Sequence, residues 1–154
     1  MKNVLRFTTI LFAVITLSAL MTHLLEFRGK INLSKGNYQV VQSIYRGWAW
    51  LGIFEVGAIL LTLIWTITNR KNKNIFILLL SALICFTISL IIFFIFTFPA
   101  NQAAVNWTQL PQQWEPLRMK WEYSHAIRAV LNLIGFSFLI VCLIKSGESE
   151  IVSG

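Results

Sequence analysis

The chain has 154 residues, 56% of them apolar and only 12% charged, with a mean hydropathy of +0.70. A soluble domain carries roughly 25% charged residues, so composition excludes a soluble globular domain and, at this apolarity, a disordered chain. The net charge of +7 comes from basic residues scattered at the ends of apolar runs, which excludes a nucleic-acid-binding patch, and two cysteines cannot build a disulfide framework.

A membrane span needs about 20 mostly apolar residues to cross the hydrocarbon layer. Four stretches meet that length: 4–25, 47–68, 74–98 and 122–145. Their apolar residues run continuously, without the alternation of barrel strands. They predict an all-α integral membrane protein, a single transmembrane domain over 1–154 built as an up-down bundle of four transmembrane helices.

The first stretch starts like a secretion signal, with Lys2 and Arg6 before an apolar core. It is too long for one and ends in Met21-Thr22-His23-Leu24-Leu25-Glu26 without a small-residue cleavage site, so it reads as a retained span. The loop from Arg28-Gly29-Lys30 to Arg46-Gly47 is basic, suited to snorkelling at the interface or to anionic headgroups. The second stretch carries Gly47, Gly52 and Gly57, read as close helix packing, and Glu55 about two turns deep. Arg70-Lys71-Asn72-Lys73 makes a short turn into the third stretch. Cys85 there and Cys142 in the fourth lie at different depths and read as small buried apolar residues. In the second long loop, Trp107, Trp114 and Trp121 recur every seventh residue. Pro111 and Pro116 argue against one continuous helix there and for a short re-entrant or surface-lying lid. Trp48 and Trp50 read as anchors of a helix end.

Four spans put both termini on one side. Basic residues tie across the membrane, with Lys2, Arg6, Arg70, Lys71, Lys73 and Lys145 against Arg28, Lys30, Lys35, Arg46, Arg118 and Lys120. The dense cluster in the very short 70–73 turn breaks the tie and places both termini in the cytoplasm of a multi-pass cell-membrane protein.

Ionisable residues are costly within membrane helices and usually face the interior, so the few present carry the functional signal. Residues three apart on a helix share a face, which pairs His23 with Glu26 and Glu122 with His125. His125, Arg128, Asn132 and Gly135 continue one polar, small-residue stripe, and Glu55 is the remaining acid at the depth of Arg128. Three readings compete. One is a metal site, since Glu-x-x-His is the pairing used in di-metal bundles, although here one copy is reversed. Another is acid–base chemistry on an apolar ligand, with His125 as base, Glu122 orienting it and tuning its titration, Arg128 stabilising negative charge and tryptophans stacking on the ligand. The third is structural: Glu55–Arg128 fixes helix register and leaves no pocket beside it. The sequence assigns no cofactor, no metal ligands and no oligomeric state. The partners it implies are the lipid bilayer and a small apolar ligand, and not nucleic acid.

The residues also resemble a known family. His23-Leu24-Leu25-Glu26 and Gln39-Val40-Val41-Gln42-Ser43-Ile44-Tyr45 open the resemblance. Pro99-Ala100-Asn101, Asn106-Trp107, Trp114-Glu115-Pro116-Leu117-Arg118 and Trp121-Glu122-Tyr123-Ser124-His125-Ala126-Ile127-Arg128-Ala129 complete it. Together they are similar to four-span bacterial membrane proteins of unassigned function, with which fungal anthrone oxygenases are grouped. The fungal members oxidise anthrones to anthraquinones without metal or flavin. The resemblance implies a site at His23, Glu26, Trp121, Glu122, His125 and Arg128, with Asn101, Asn106, Trp107 and Trp114 in the matching loop segments. It does not imply anthrone as the substrate. One departure is Phe27-Arg28, where the family pattern has a proline soon after the first Glu.

Overall fold

A computed structural model describes residues 2–152, with side chains described for residues 2–147. Helices α1 (Lys2–Lys30), α2 (Lys35–Gln42), α3 (Gly52–Thr68), α4 (Lys73–Ile92), α5 (Phe98–Ala103) and α6 (Trp114–Val152) make up the chain, and the described residues contain no strand. Two 3₁₀ turns, Ser43–Tyr45 and Trp48–Leu51, link α2 to α3, and a π turn, Phe93–Thr97, joins α4 to α5. Four helical segments are long and apolar enough to cross a membrane: Lys2–Lys30, Trp48–Thr68, Lys73–Ala103 and Trp114–Gly147.

These segments pack as a four-sided bundle in which α1 and α4 each touch both α3 and α6. Successive long helices run antiparallel. Phe12 packs on Phe54 while His23 packs on Trp48, and Asn132 bonds Ser89 while Ser124 bonds Thr97. The start of α1 and the end of α6 therefore lie at the same end. The interior mixes small or polar residues (Thr9, Ala13, Ala58, Thr62, Ala82) with large apolar ones (Trp65, Leu79, Phe86, Leu139), and large apolar residues such as Phe7, Ile67, Ile77 and Ile144 also face outward. An apolar outer face around an interior that also holds small and polar residues suits helices that associate through close packing.

Local chemistry explains the boundaries. Asn72 caps α4, its side chain accepting from the amide of Ile75. Gly47 turns the chain at φ 89°, a left-handed conformation that glycine adopts without strain. Of the three second-span glycines, only Gly57 serves close packing: a Cβ there would lie 2.4 Å from Phe12, whereas one at Gly52 would meet nothing. Gly135 does the same on α6, against Phe86. Pro99 offers no amide to the carbonyl of Ile95, and the π turn opens the helix at that point, so the third long segment continues to Ala103 rather than ending at residue 98.

The predicted lid is built differently. Pro116 does not interrupt a helix; it sits in the first turn of α6, where an amide has no helical partner to lose. The fourth long helix thus starts at Trp114 rather than residue 122. The cover over this end consists of α2, its 3₁₀ turns and the loop 104–113, closed around a buried cluster of Tyr38, Ala100, Ala104, Trp107, Trp114 and Trp121. Val105, Asn106 and Trp107 take left-handed φ values of 48°, 51° and 65°, a strained run that turns the Trp107 ring inward. Cys85 and Cys142 are free thiols; Cys142 is buried, whereas Cys85 is only half-buried.

Candidate functional site

The covered end of the bundle holds a cavity of about 920 Å³. That volume lies in the range of small-molecule sites, roughly 300–1,000 Å³. Its walls come from α1, α3, the π turn, α6 and the cover, and it reaches His23, Glu55, Asn101, Asn106, Trp107, Trp121, His125 and Arg128. Those eight expected site residues share one space. Glu26, Trp114, Glu122 and Asn132 lie outside it, engaged elsewhere.

At its centre two imidazoles face each other. His23 of α1 and His125 of α6 have ring centroids 4.2 Å apart and are 6% and 8% exposed. Their Nδ1 atoms are buried, with no hydrogen-bond partner among the described residues. Aromatic rings surround the pair: Trp121 lies 4.2 Å from His125 and 4.9 Å from His23, Tyr45 lies 4.4 Å from His23, and Trp48 lies 5.8 Å from it. Trp48, expected only as an anchor, is therefore part of the site, whereas Trp50 is exposed and packs edge-to-face with Phe54.

The rings are held by one amide. Asn101 Oδ1 accepts from Trp107 Nε1 at 2.9 Å and from Trp121 Nε1 at 2.8 Å, which fixes α5, the loop and α6 together. The Asn101 amide nitrogen has no hydrogen-bond partner among the described residues, and the residue lines the cavity.

Below the histidines lies the buried ion pair. Arg128 Nη2 donates to Glu55 Oε2 at 2.7 Å. Ser89 joins the network, donating to Glu55 Oε1 at 3.2 Å and accepting from Asn132 Nδ2 at 2.7 Å. Asn132 thus supports the pair from behind instead of meeting a ligand. Arg128 packs over Phe93 of the π turn and lines the cavity, with no partner for Nη1 among the described residues. The pair expected from depth is formed, and it has a cavity beside it, which the purely structural reading did not expect.

Glu122, expected to orient His125, does not bond it. Its buried carboxylate accepts from Tyr38 Oη at 3.0 Å and sits 3.5 Å from Lys30 Nζ. Gln42 in turn donates to Tyr38 Oη at 2.7 Å. Burial first, and then the neighbouring Glu122 carboxylate, hold the Tyr38 phenol well above its usual range, so it remains a donor. Glu26, expected to point with His23, turns to Tyr45 and Lys30 instead. Lys30 is no headgroup contact. It is buried among Glu26, Glu122, Tyr45 and Trp121, with Nζ 3.1 Å from Tyr45 Oη and 5.0 Å from the Trp121 ring. Trp114 carries Arg118 on its face, and Arg118 donates to the Leu33 carbonyl at 2.8 Å. These groups fasten the cover to α1 and α6.

Among the described residues no three His, Cys, Asp or Glu side chains converge on a point where a metal would sit. No family model, curated protein or solved structure matches the chain.

Proposed function

We propose that the chain is a multi-pass protein of the cell membrane, with both termini in the cytoplasm, whose cavity binds a small, flat, aromatic or quinone-like molecule. The apolar outward faces and the length of the four long segments support the membrane setting. The short basic turn at 70–73 supports the orientation.

One observation carries the ligand reading: two histidines whose Nδ1 atoms are buried without a hydrogen-bond partner among the described residues line one aromatic-walled cavity. A buried polar atom left unpaired costs about 1–3 kcal/mol, and a ligand hydroxyl or carbonyl between the rings removes that cost. In this reading His125 takes the proton of a phenolic hydroxyl, leaving a phenolate and an imidazolium. Arg128 stabilises the phenolate through Nη1, and Trp48, Trp107 and Trp121 cover the ring. Glu122 acts one step away, holding Tyr38 and Lys30 so that the cover stays in place. The resemblance to the family that includes the anthrone oxygenases supports an oxidisable aromatic as the ligand class.

The test is a titration of the purified protein in detergent with 1,4-naphthohydroquinone, followed by tryptophan fluorescence. Saturable quenching is expected, weakened at least about tenfold in His125→Ala and in His23→Ala while far-UV circular dichroism is unchanged. No saturable quenching in the parent protein, or quenching indifferent to both substitutions, would overturn the reading.

A further inference from the structure

The cavity is not closed on all sides. Ile53, Val56 and Leu60 of α3 and Phe94 of the π turn line the same space as the buried histidines, yet they are 67%, 45%, 54% and 58% exposed. The wall along α3 is therefore incomplete, and it opens onto the apolar outward face of the bundle. The reason is visible in the elements. α3 has 17 residues against 29 in α1, and its upper end is replaced by the narrower 3₁₀ turn Trp48–Leu51. The π turn widens the facing helix at the same level. The gap runs from Ile53 to Leu60, about 10 Å of helix rise. A second opening lies at the exposed end of the cavity, where Arg46 and Asn106 reach it. The two openings differ in chemistry: one is polar and faces the loops, the other is apolar and faces the side.

We propose that the ligand reaches the histidine pair sideways from the hydrocarbon layer along α3, and that it is an amphiphile: an oxygen-bearing aromatic head on a linear apolar tail that stays in the gap. This rests on the ligand reading above. The head fills the aromatic space and meets the unpartnered imidazole nitrogens. The tail replaces lipid against Ile53, Val56, Leu60 and Phe94, so no apolar surface is transferred to water on binding. A soluble aromatic without a tail has only the Arg46–Asn106 opening.

The test uses the full chain in phosphatidylcholine nanodiscs and two probes sharing one naphthoquinone ring. The first carries an alkyl tail ending in a photoreactive diazirine, and the second carries no tail. Illumination is expected to attach the tailed probe to the α3 segment around Ile53 to Leu60 and to the segment holding Phe94, in competition with excess unlabelled tailed quinone. Leu60→Trp, which narrows the gap, is expected to slow capture of the tailed ring about tenfold more than capture of the tailless one. Adducts confined to the loop 99–113 or spread evenly over all four long helices, or equal slowing of both rings, would overturn the lateral route. If the tailless ring still binds in a His125-dependent way, only the lateral route has failed. If neither ring binds the parent protein, the ligand reading and the lateral route fall together.

Discussion

At the scale of single residues, the site rests on buried polar groups whose partners are few and specific. Removing one member of a buried ion pair strands the other, at a cost of about 3–5 kcal/mol, whereas replacing both by apolar residues is often neutral. Glu55→Leu alone is therefore expected to destabilise strongly, and Glu55→Leu with Arg128→Met to recover most of the loss, read by denaturant unfolding in detergent. Asn101→Ala leaves two tryptophan donors unpaired at about 1–3 kcal/mol each and should loosen the rings, which a red-shifted tryptophan emission would report. Tyr38 gives a pH test. Its folded-state pKa is raised, so its contribution to stability is present below the unfolded value of about 10 and is lost as pH rises through the folded one. Phenolate absorbance should show Tyr38 ionising later than an ordinary phenol, and Glu122→Gln should move that step down without abolishing it, because burial remains. An unshifted step in the parent protein would contradict the Tyr38–Glu122 contact.

At the scale of elements, the long helices are legible in sequence and the cover is not. Spans of 20 apolar residues announce themselves by composition alone, and the depth argument pairs Arg128 with Glu55 without any structure. Boundaries fail where proline is read as a breaker: Pro116 begins α6, and Pro99 is absorbed by a π turn. The cover fails for a deeper reason. In α2 the buried residues are Tyr38 and Gln42 while Val40 is exposed, the reverse of hydropathy, because the inner face of α2 must bond the Glu122 carboxylate as well as pack on the rings of Trp107 and Trp114. Tyr38 and Gln42 are spaced one helical turn apart, which is the one signal of that face, and Glu122 in want of a cation points to Lys30. Helix contact gives a prediction at this scale. Gly57→Leu drives a side chain into Phe12 and should cost about 1–3 kcal/mol or more, with partial rescue by Phe12→Ala. No loss of stability in Gly57→Leu would mean that α1 and α3 do not meet as closely as described.

At the scale of the whole molecule, the basic residues say less by number than by position. Six against six is no orientation signal, and Lys30 leaves the count altogether because it is buried in an ion-pair cluster. Five then remain on the loop side against six at the termini. Neutralising Arg70, Lys71 and Lys73 together should reverse or mix the orientation, read by reporter fusions at both ends. An unchanged orientation would show that other features set it. The same positional logic holds for the acids: Glu26 and Glu122 fasten the cover, while Glu55 holds Arg128 on the cavity wall. The bundle then brings two histidines, one near the end of α1 and one near the start of α6, together in one covered cavity, and that juxtaposition is the central claim. Its most direct test is mass spectrometry of the small molecules that co-purify in mild detergent with the parent protein and with His125→Ala. An aromatic species in stoichiometric amount in the first and lost from the second is the expected result. Identical small-molecule content in both, with the variant losing only thermal stability, would contradict it and leave the histidines as packing.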